Sequence, residues 1–306
     1  MPSVAYVNGV FVAADADGAV VPLEDRGHLF GDGVYEVVRV YGGRPFLLAW
    51  HLERLAHSLA AIGLANPHSD AEWTSLIEQA VAQSGAAEAT VYWQVTRGTA
   101  PRAHTFPDVQ PAVTMVVRPW TAPPAPRAAT LLCLPDERWA NAWVKSINLL
   151  PNVIAKENAR RAGADEALLV RSGAITEGAA SNLFVVHQGV LYTHPANRYI
   201  LAGITRRFVL GLAHDLGIPV REVAWPLAEL AAADEVFLTG TTTEVLAVDR
   251  ILAYEADLPS LHQLGEERPR GLVGRDGPLV TLWQAKGPGP VTGRLQEAFA
   301  ARRTMG

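Results

Sequence analysis

Lys145 stands in AWVKSINLLPN, residues 142–152, with Trp143, Val144, Ile147, Leu149 and Leu150 as its apolar neighbours. Lysine is scarce in this chain: of 26 Lys and Arg residues, only Lys145, Lys156 and Lys286 are lysines. Arg keeps its proton in a protein, whereas a desolvated Lys can lose it and become an amine nucleophile. The local residues leave two readings of Lys145: an amine held for chemistry, or a stem packed on apolar surface with its ammonium in water. Glu177, in ITEGAASN, follows a short apolar strand and precedes small residues, so it either caps a turn or projects into a cleft. In ILAGITRRF, Gly203, Ile204 and Thr205 fall where a helix begins. Free backbone N–H groups and a Thr hydroxyl there can seat a phosphate, although Thr is also an ordinary cap. LTGTTTE, residues 238–244, offers three hydroxyls and a glycine at a strand end, a further seat or a plain turn. PRAHTFP sets Arg102 and His104 on either side of one alanine, bracketed by Pro101 and Pro107. Two such donors on a stiffened loop suit a carboxylate, or they belong to a solvated loop.

Elements to position these residues are visible along the chain, which reads as mixed α and β. VAYVNGVFV is a hairpin turned at Asn-Gly, and VYEVVRVYGGRPFLL is a second, turned at Gly42-Gly43. AWHLERLAHSLAAIGL carries Leu52, Leu55, Leu59 and Ile62 at helical spacing, and Asp70 is the expected N-cap of a helix running to about Gln83. Residues 89–98 and 111–119 are strand-rich. PWTAPPAPR, residues 119–127, has four prolines in nine residues and is the expected domain boundary. It separates a small α/β domain, 1–118, from a larger cofactor-binding domain, 128–306. In the second, strands are expected at ATLLCLP, EALLVR, IPVREVAW, EVFLTG and TEVLAVDRI, with a hairpin at SNLFVVHQGVLYT. Helices are expected over 149–162, over TRRFVLGLAHDLG and over VTGRLQEAFAARR. Residues 253–289, rich in Gly, Pro and charge, read as one long loop.

Composition excludes several classes. A chain of 306 residues, 49% hydrophobic, can bury a large core. A net charge of −5 without basic runs argues against nucleic acid. The single cysteine, Cys133, forbids an intrachain disulfide and points to a reducing, cytoplasmic setting. No signal peptide, no membrane span and no metal-ligand spacing is expected.

A nucleophilic lysine, an acid, a phosphate seat and a carboxylate clamp are together what a pyridoxal 5′-phosphate (PLP) enzyme acting on amino acids requires. The chain also resembles a known family over about Tyr6–Thr243 and again in the final helix. The carriers, in order, are EDRGHLFGDGVYEVVRVY (24–41), HLERL (51–55), VTRGTAPRAHTFP (95–107), KSINLLPNVIAKENA (145–159), TEGAASNLF (176–184), LYTHPANRYILAGITR (191–206) and GTTTE (240–244). They resemble the fold-type IV, or class IV, aminotransferases, and within them the branch acting on D-amino acids.

The resemblance implies a two-domain α/β (α+β mixed) fold and PLP as cofactor. It implies Lys145 as the lysine bonded to the cofactor aldehyde and shuttling the substrate proton, with Glu177 as partner of the pyridine nitrogen. It implies phosphate contacts from Arg54, Ile204, Thr205 and Thr241. Tyr35, Arg102 and His104 become the trap for the substrate α-carboxylate, the last two reaching the site of a neighbouring subunit, hence a homodimer. The implied reaction moves the amino group of a D-amino acid, of the D-alanine, D-glutamate and D-aspartate class, to a 2-oxo acid such as 2-oxoglutarate, with ping-pong kinetics. Branched-chain L-amino acid transaminase, (R)-amine transaminase, aminodeoxychorismate lyase and a non-catalytic PLP-binding protein are the alternatives, and the Arg-Ala-His pattern disfavours the first three. The sequence departs from the family in a longer stretch over about 249–275, and in Gly240, where the D-specific relatives commonly carry serine.

Overall fold

Asn8-Gly9 turns the first hairpin in the left-handed region, at φ 44° and 103°, and so pairs β1 (Val4–Val7) with β2 (Val10–Ala13). The computed structural model describes residues 3–14, 20–121, 128–263, 271–275, 277–287 and 289–303. The chain divides into two units: Met1–Pro123 with Val144–Asn148 and Arg303–Gly306, and Pro124–Trp143 with Leu149–Arg302. The cut falls inside the proline-rich stretch, of which residues 122–127 lie outside the described residues. It differs from the expected domains in two respects: the segment carrying Lys145 and the C-terminal residues Arg303–Gly306 belong to the first unit.

The first unit is a six-stranded antiparallel sheet in the order β2-β1-β6-β5-β3-β4. Its further strands are β3 (Gly33–Tyr41), β4 (Arg44–Pro45), β5 (Ala89–Thr96) and β6 (Ala112–Pro119). The short helix α1 (Arg26–Phe30) precedes β3, and α2 (Leu48–Ala61) and α3 (Asp70–Ser84) follow β4. Val34, Val38 and Val40 alternate along β3 and share a core with Leu52, Leu55 and Leu59 of α2 and Trp73 and Ile77 of α3. Alternation thus fixes which β3 side chains face the helices and which face away. Trp73, Trp93 and Ile77 are fully buried, so truncating either tryptophan to alanine should cost about 3–5 kcal/mol. The N-cap of α3 is Ser69, not Asp70: Ser69 and Glu72 form a reciprocal capping box, which places Asp70 inside the first turn.

The second unit is a nine-stranded mixed sheet in the order β12-β11-β10-β13-β14-β7-β8-β9, with β15 added on β14. Its strands are β7 (Ala129–Pro135), β8 (Glu166–Arg171), β9 (Ala174–Gly178), β10 (Asn182–His187), β11 (Val190–Thr193), β12 (Val220–Glu222), β13 (Glu235–Gly240), β14 (Glu244–Tyr254) and β15 (Leu279–Gln284). Strand β7 is buried at every residue and pairs in parallel with both β8 and β14, which explains its unbroken apolar run. The helices are α4 (Leu150–Arg161), α5 (Ile204–Asp215), α6 (Leu258–His262) and α7 (Pro290–Arg302). Phe208 of α5 and Phe299 of α7 meet edge to face, 5.5 Å between centroids. The stretch 253–289 is not one loop. It holds the end of β14, a 3₁₀ turn, α6 and β15, while 264–270, 276 and 288 lie outside the described residues. The expected strand at IPVREVAW is confined to Val220–Glu222. Among the described residues no helix is long and apolar enough to cross a membrane.

Candidate active site

Lys145 is placed by β3. The segment around it lies along the strand: Tyr35 N–H donates to the Lys145 carbonyl at 3.0 Å, Ile147 N–H to the Gly33 carbonyl at 3.1 Å, and Val34 bridges Ser146. Lys145 N–H itself donates to Ser58 Oγ of α2 at 3.3 Å. These bonds set the ammonium 4.1 Å from the centroid of the Tyr35 ring, a cation–π contact. Tyr35 is an odd-numbered β3 residue, so it faces away from the helices, beside Tyr92 at 5.5 Å. The apolar flanks expected to enclose Lys145 do so only in part. Val144 is 6% exposed, but Trp143 is 42% and Leu150 69% exposed, and Lys145 is half-buried. Lys156, the rival lysine, is committed elsewhere, its Nζ 2.6 Å from the Asp165 carbonyl and 3.1 Å from Glu166.

Arg102 and His104 share the ring of Phe30, the last residue of α1. The Arg102 guanidinium lies 5.0 Å from its centroid and the His104 ring 5.5 Å. Both are exposed, and the Ala103 carbonyl between them accepts a 2.6 Å hydrogen bond from Arg26 Nη1. Tyr35 is grouped with Lys145, and the Arg-Ala-His loop with α1.

On the helix face of β3 lies Glu36, which composition and spacing did not single out. It is fully buried and receives Arg54 Nε and Nη2 at 2.7 Å each, with His51 Nδ1 at 2.8 Å. Burial pushes its carboxyl up, but the Arg54 charge and hydrogen bonds, with the His51 contact, outweigh this and bring it to about 2. His51 is held neutral chiefly by burial, and it then donates its Nδ1 proton to the ionised Glu36. The arginine of HLERL is therefore oriented by a buried carboxylate, with its guanidinium fixed as a fork.

In the second unit, Glu177 sits on β9 and is 4% exposed. Every partner is a donor: Arg138 Nη1, Asn182 Nδ2 at 2.8 Å, and Leu201 N–H at 3.1 and 3.2 Å to its two oxygens. Asp136, 1% exposed, also takes Arg138, through Nε and Nη2 at 2.9 Å each, and takes Thr176 Oγ1 at 3.2 Å. Burial raises Glu177 to about 7 against the pull of Arg138, whose charge is divided between two acids. Sequence reasoning missed Arg138, Asp136 and Asn182. Asn182 follows Glu177 by five residues in the same quoted motif, whereas Arg138 and Asp136 carried no local signal.

Asn182 also ties this carboxylate to the start of α5. Its Nδ2 donates to the Leu201 carbonyl at 2.9 Å, and its Oδ1 lies where a Cβ on Gly203 would be, at 2.0 Å. Gly203 is required for that close approach, and as N-cap it offers no side-chain oxygen to the helix's first N–H groups. Those donors, from a helix whose Ile204 and Thr205 are buried, are the ones an anion would meet. Thr241 stands half-buried in the turn joining β13 and β14, after the Gly240–Glu244 pair.

The chain belongs to the class IV aminotransferases: the model of that family, amino-transferase class IV, matches residues 33–251. It is similar to the D-alanine aminotransferase of Bacillus licheniformis, 44% identical over 234 residues, 76% of this chain and 83% of that one. It is similar also to the D-alanine aminotransferase of Staphylococcus haemolyticus, 35% identical over 298 residues, 96% of this chain and 95% of that one. The crystal structure of the T.th. branched-chain amino acid aminotransferase with pyridoxamine 5′-phosphate matches with a TM-score of 0.80 at 26% identity, covering 100% of this chain and 95% of that chain. Family and fold are those the sequence motifs implied, and enzymes of this class work with PLP. The residues present suit that group. The Glu177 carboxyl, raised by burial, could take a protonated ring nitrogen as counter-charge, and the Gly203 cap leaves N–H donors for a phosphate.

Proposed function

We propose that this chain is a D-amino acid transaminase that passes the amino group of D-alanine, D-glutamate or D-aspartate to a 2-oxo acid such as 2-oxoglutarate. It works as a cytoplasmic homodimer with ping-pong kinetics. The observation that carries the reading is the Arg102-Ala103-His104 loop in a chain whose relatives at 35–44% identity are D-alanine aminotransferases. Bound PLP supplies a carbonyl for the substrate amine and a ring that accepts the electron pair left when the Cα proton departs. Lys145 Nζ would take that proton as a base and give it back as an acid. Glu177, steadied by Arg138 and Asn182, would be the acid that pairs with the ring nitrogen. Ile204 and Thr205 N–H groups and the Thr241 hydroxyl would hold the phosphate, and Arg54 is the further phosphate contact that the family resemblance implies. Tyr35, with Arg102 and His104 of a neighbouring subunit, grips the α-carboxylate and so selects the enantiomer.

The branched-chain reading has the solved structures in its favour, including a branched-chain aminotransferase at 26% identity. One experiment separates the two. The PLP-loaded protein is mixed with D-alanine, D-glutamate, L-leucine or an (R)-amine, and the cofactor absorbance is followed through a single half-reaction. Fast conversion by the D-amino acids alone is expected. Conversion by L-leucine in preference to D-alanine would overturn the proposal in favour of the branched-chain reading.

A further inference from the structure

The Arg102–His104 loop is exposed and flanked by prolines, yet a substrate clamp must hold its donors in place to within a fraction of an ångström. Among the described residues, the hydrogen bond that reaches its backbone is the 2.6 Å bond from Arg26 Nη1 to the Ala103 carbonyl. Arg26 is 3% exposed, which is unusual for a residue that bonds a surface loop. Its Nε donates to Asp32 Oδ2 at 2.8 Å, and its guanidinium lies 4.8 Å from the centroid of Phe30, the ring that Arg102 and His104 share.

Asp32 does not serve Arg26 alone. Its oxygens also take Arg97 Nε, at 3.1 and 2.9 Å. Arg97 is fixed at its far end, Nη1 and Nη2 donating to the carbonyls of Gly63 and Ile62 at 3.1 and 2.8 Å. It stacks on Phe106, 3.6 Å from the ring centroid, two residues beyond His104. The loop is thus held at Ala103 by Arg26 and at Phe106 by Arg97, and one carboxylate orients both arginines.

We infer that Arg26, oriented by Asp32, is a positioning residue for the carboxylate clamp. It sets the peptide between Arg102 and His104, and through Phe30 the platform on which both rest. This rests on the proposed role of Arg102 and His104. Arg26 and Asp32 are 3% and 13% exposed and act through the loop, so the effect belongs on substrate affinity and on loop order, with the proton-transfer step itself spared.

The test compares Arg26→Gln, Arg26→Lys, Asp32→Asn and Arg102→Ala as PLP-loaded enzymes, with Arg26→Gln also placed on the Arg102→Ala background. Losing one charge-assisted bond predicts that Arg26→Gln raises KM for D-alanine and for the 2-oxo acid about tenfold, with kcat changed far less. Amide hydrogen exchange should quicken over residues 101–107, and Arg26→Lys should recover part of the loss. On the Arg102→Ala background the same change should add little, because the group being positioned has gone. If Arg26→Gln folds poorly, Asp32→Asn carries the same prediction, since it releases the Arg26 fork without changing side-chain size. Arg102→Ala leaving KM unaltered would remove the clamp reading itself. A raised KM for Arg102→Ala with wild-type KM and unchanged loop exchange in the Arg26 and Asp32 variants would overturn the positioning role alone. Full additivity in the double variant would overturn it as well.

Discussion

Glu177→Gln replaces a buried acceptor by a side chain that must present an NH₂ to one of three donors: Arg138 Nη1, Asn182 Nδ2 or Leu201 N–H. Arg138 is not left stranded, because Asp136 keeps its Nε and Nη2. The structural cost is therefore that of one mismatched buried hydrogen bond, about 1–3 kcal/mol, and not that of an orphaned charge. Against it stands a gain that depends on pH. The folded carboxyl is raised from 4.5 to about 7, with burial as the main cause, so the folded protein binds the proton more tightly than the unfolded chain does. The stabilisation from that proton is fully present below pH 4.5 and is lost as pH rises through about 7. The upper bound is the difference between 4.5 and about 7, taken at 1.36 kcal/mol per pH unit, or about 3 kcal/mol. Cofactor-free wild type should then lose thermal stability relative to Glu177→Gln between pH 5 and 8, by a few degrees in Tm. In the PLP-loaded enzyme the same change should slow Cα proton transfer from D-alanine by about 10²–10³, the usual loss on removing one preorganised electrostatic group. Single-turnover absorbance measures the rate and differential scanning measures the stability gap. A wild-type half-reaction rate in the variant would refute the pyridine role. A stability gap flat from pH 5 to 8 would refute the raised proton affinity.

Lys145→Ala should abolish steady-state transamination, because the proposed role gives one amine both the bond to the cofactor and the proton transfer, and near wild-type turnover would disprove the assignment. Mixing inactive Lys145→Ala with the impaired Arg102→Ala should raise activity well above that of Arg102→Ala alone if the clamp serves the neighbouring subunit, since one site of the mixed dimer then holds an intact lysine and an intact clamp. Differently tagged chains verify the exchange, and confirmed heterodimers without that rise would place the clamp and the lysine in one chain.

Local chemistry was legible where a motif carried its own geometry. The Asn8-Gly9 turn, the helical spacing of Leu52, Leu55 and Leu59 and the apolar run of β7 each define an element within a few residues. Ser69 was passed over for Asp70 because both are good caps, and Glu72 decides between them only once the reciprocal bonds are formed. Strand β15 was hidden in a Gly- and Pro-rich stretch because its ladder is completed by β14, a partner remote in sequence, and most of its residues stay partly exposed. The Arg138–Glu177 contact spans 39 residues, and no pattern in DERW marks an arginine that two acids will share. Glu36 reads as one residue of an alternating strand until β3 meets α2.

The two buried glutamates show how the fold uses one pair of residue types for opposite ends. Glu36 and Glu177 each lie against an arginine, each is almost inaccessible to water, and each pays a desolvation cost. Arg54 gives Glu36 two prongs of its fork, and a neutral His51 adds a third donor, so Glu36 falls to about 2 and stays ionised. Arg138 gives its Nε and Nη2 to Asp136 and only Nη1 to Glu177. Burial raises Glu177 to about 7, and the single prong from Arg138 does not offset it. A carboxylate already neutralised would gain little from a further cation, whereas Glu177, in its proposed role, would gain one in a protonated ring nitrogen. Burial and the sharing of Arg138 with Asp136 leave room for that partner, while the two-pronged contact from Arg54 keeps Glu36 ionised down to about pH 2.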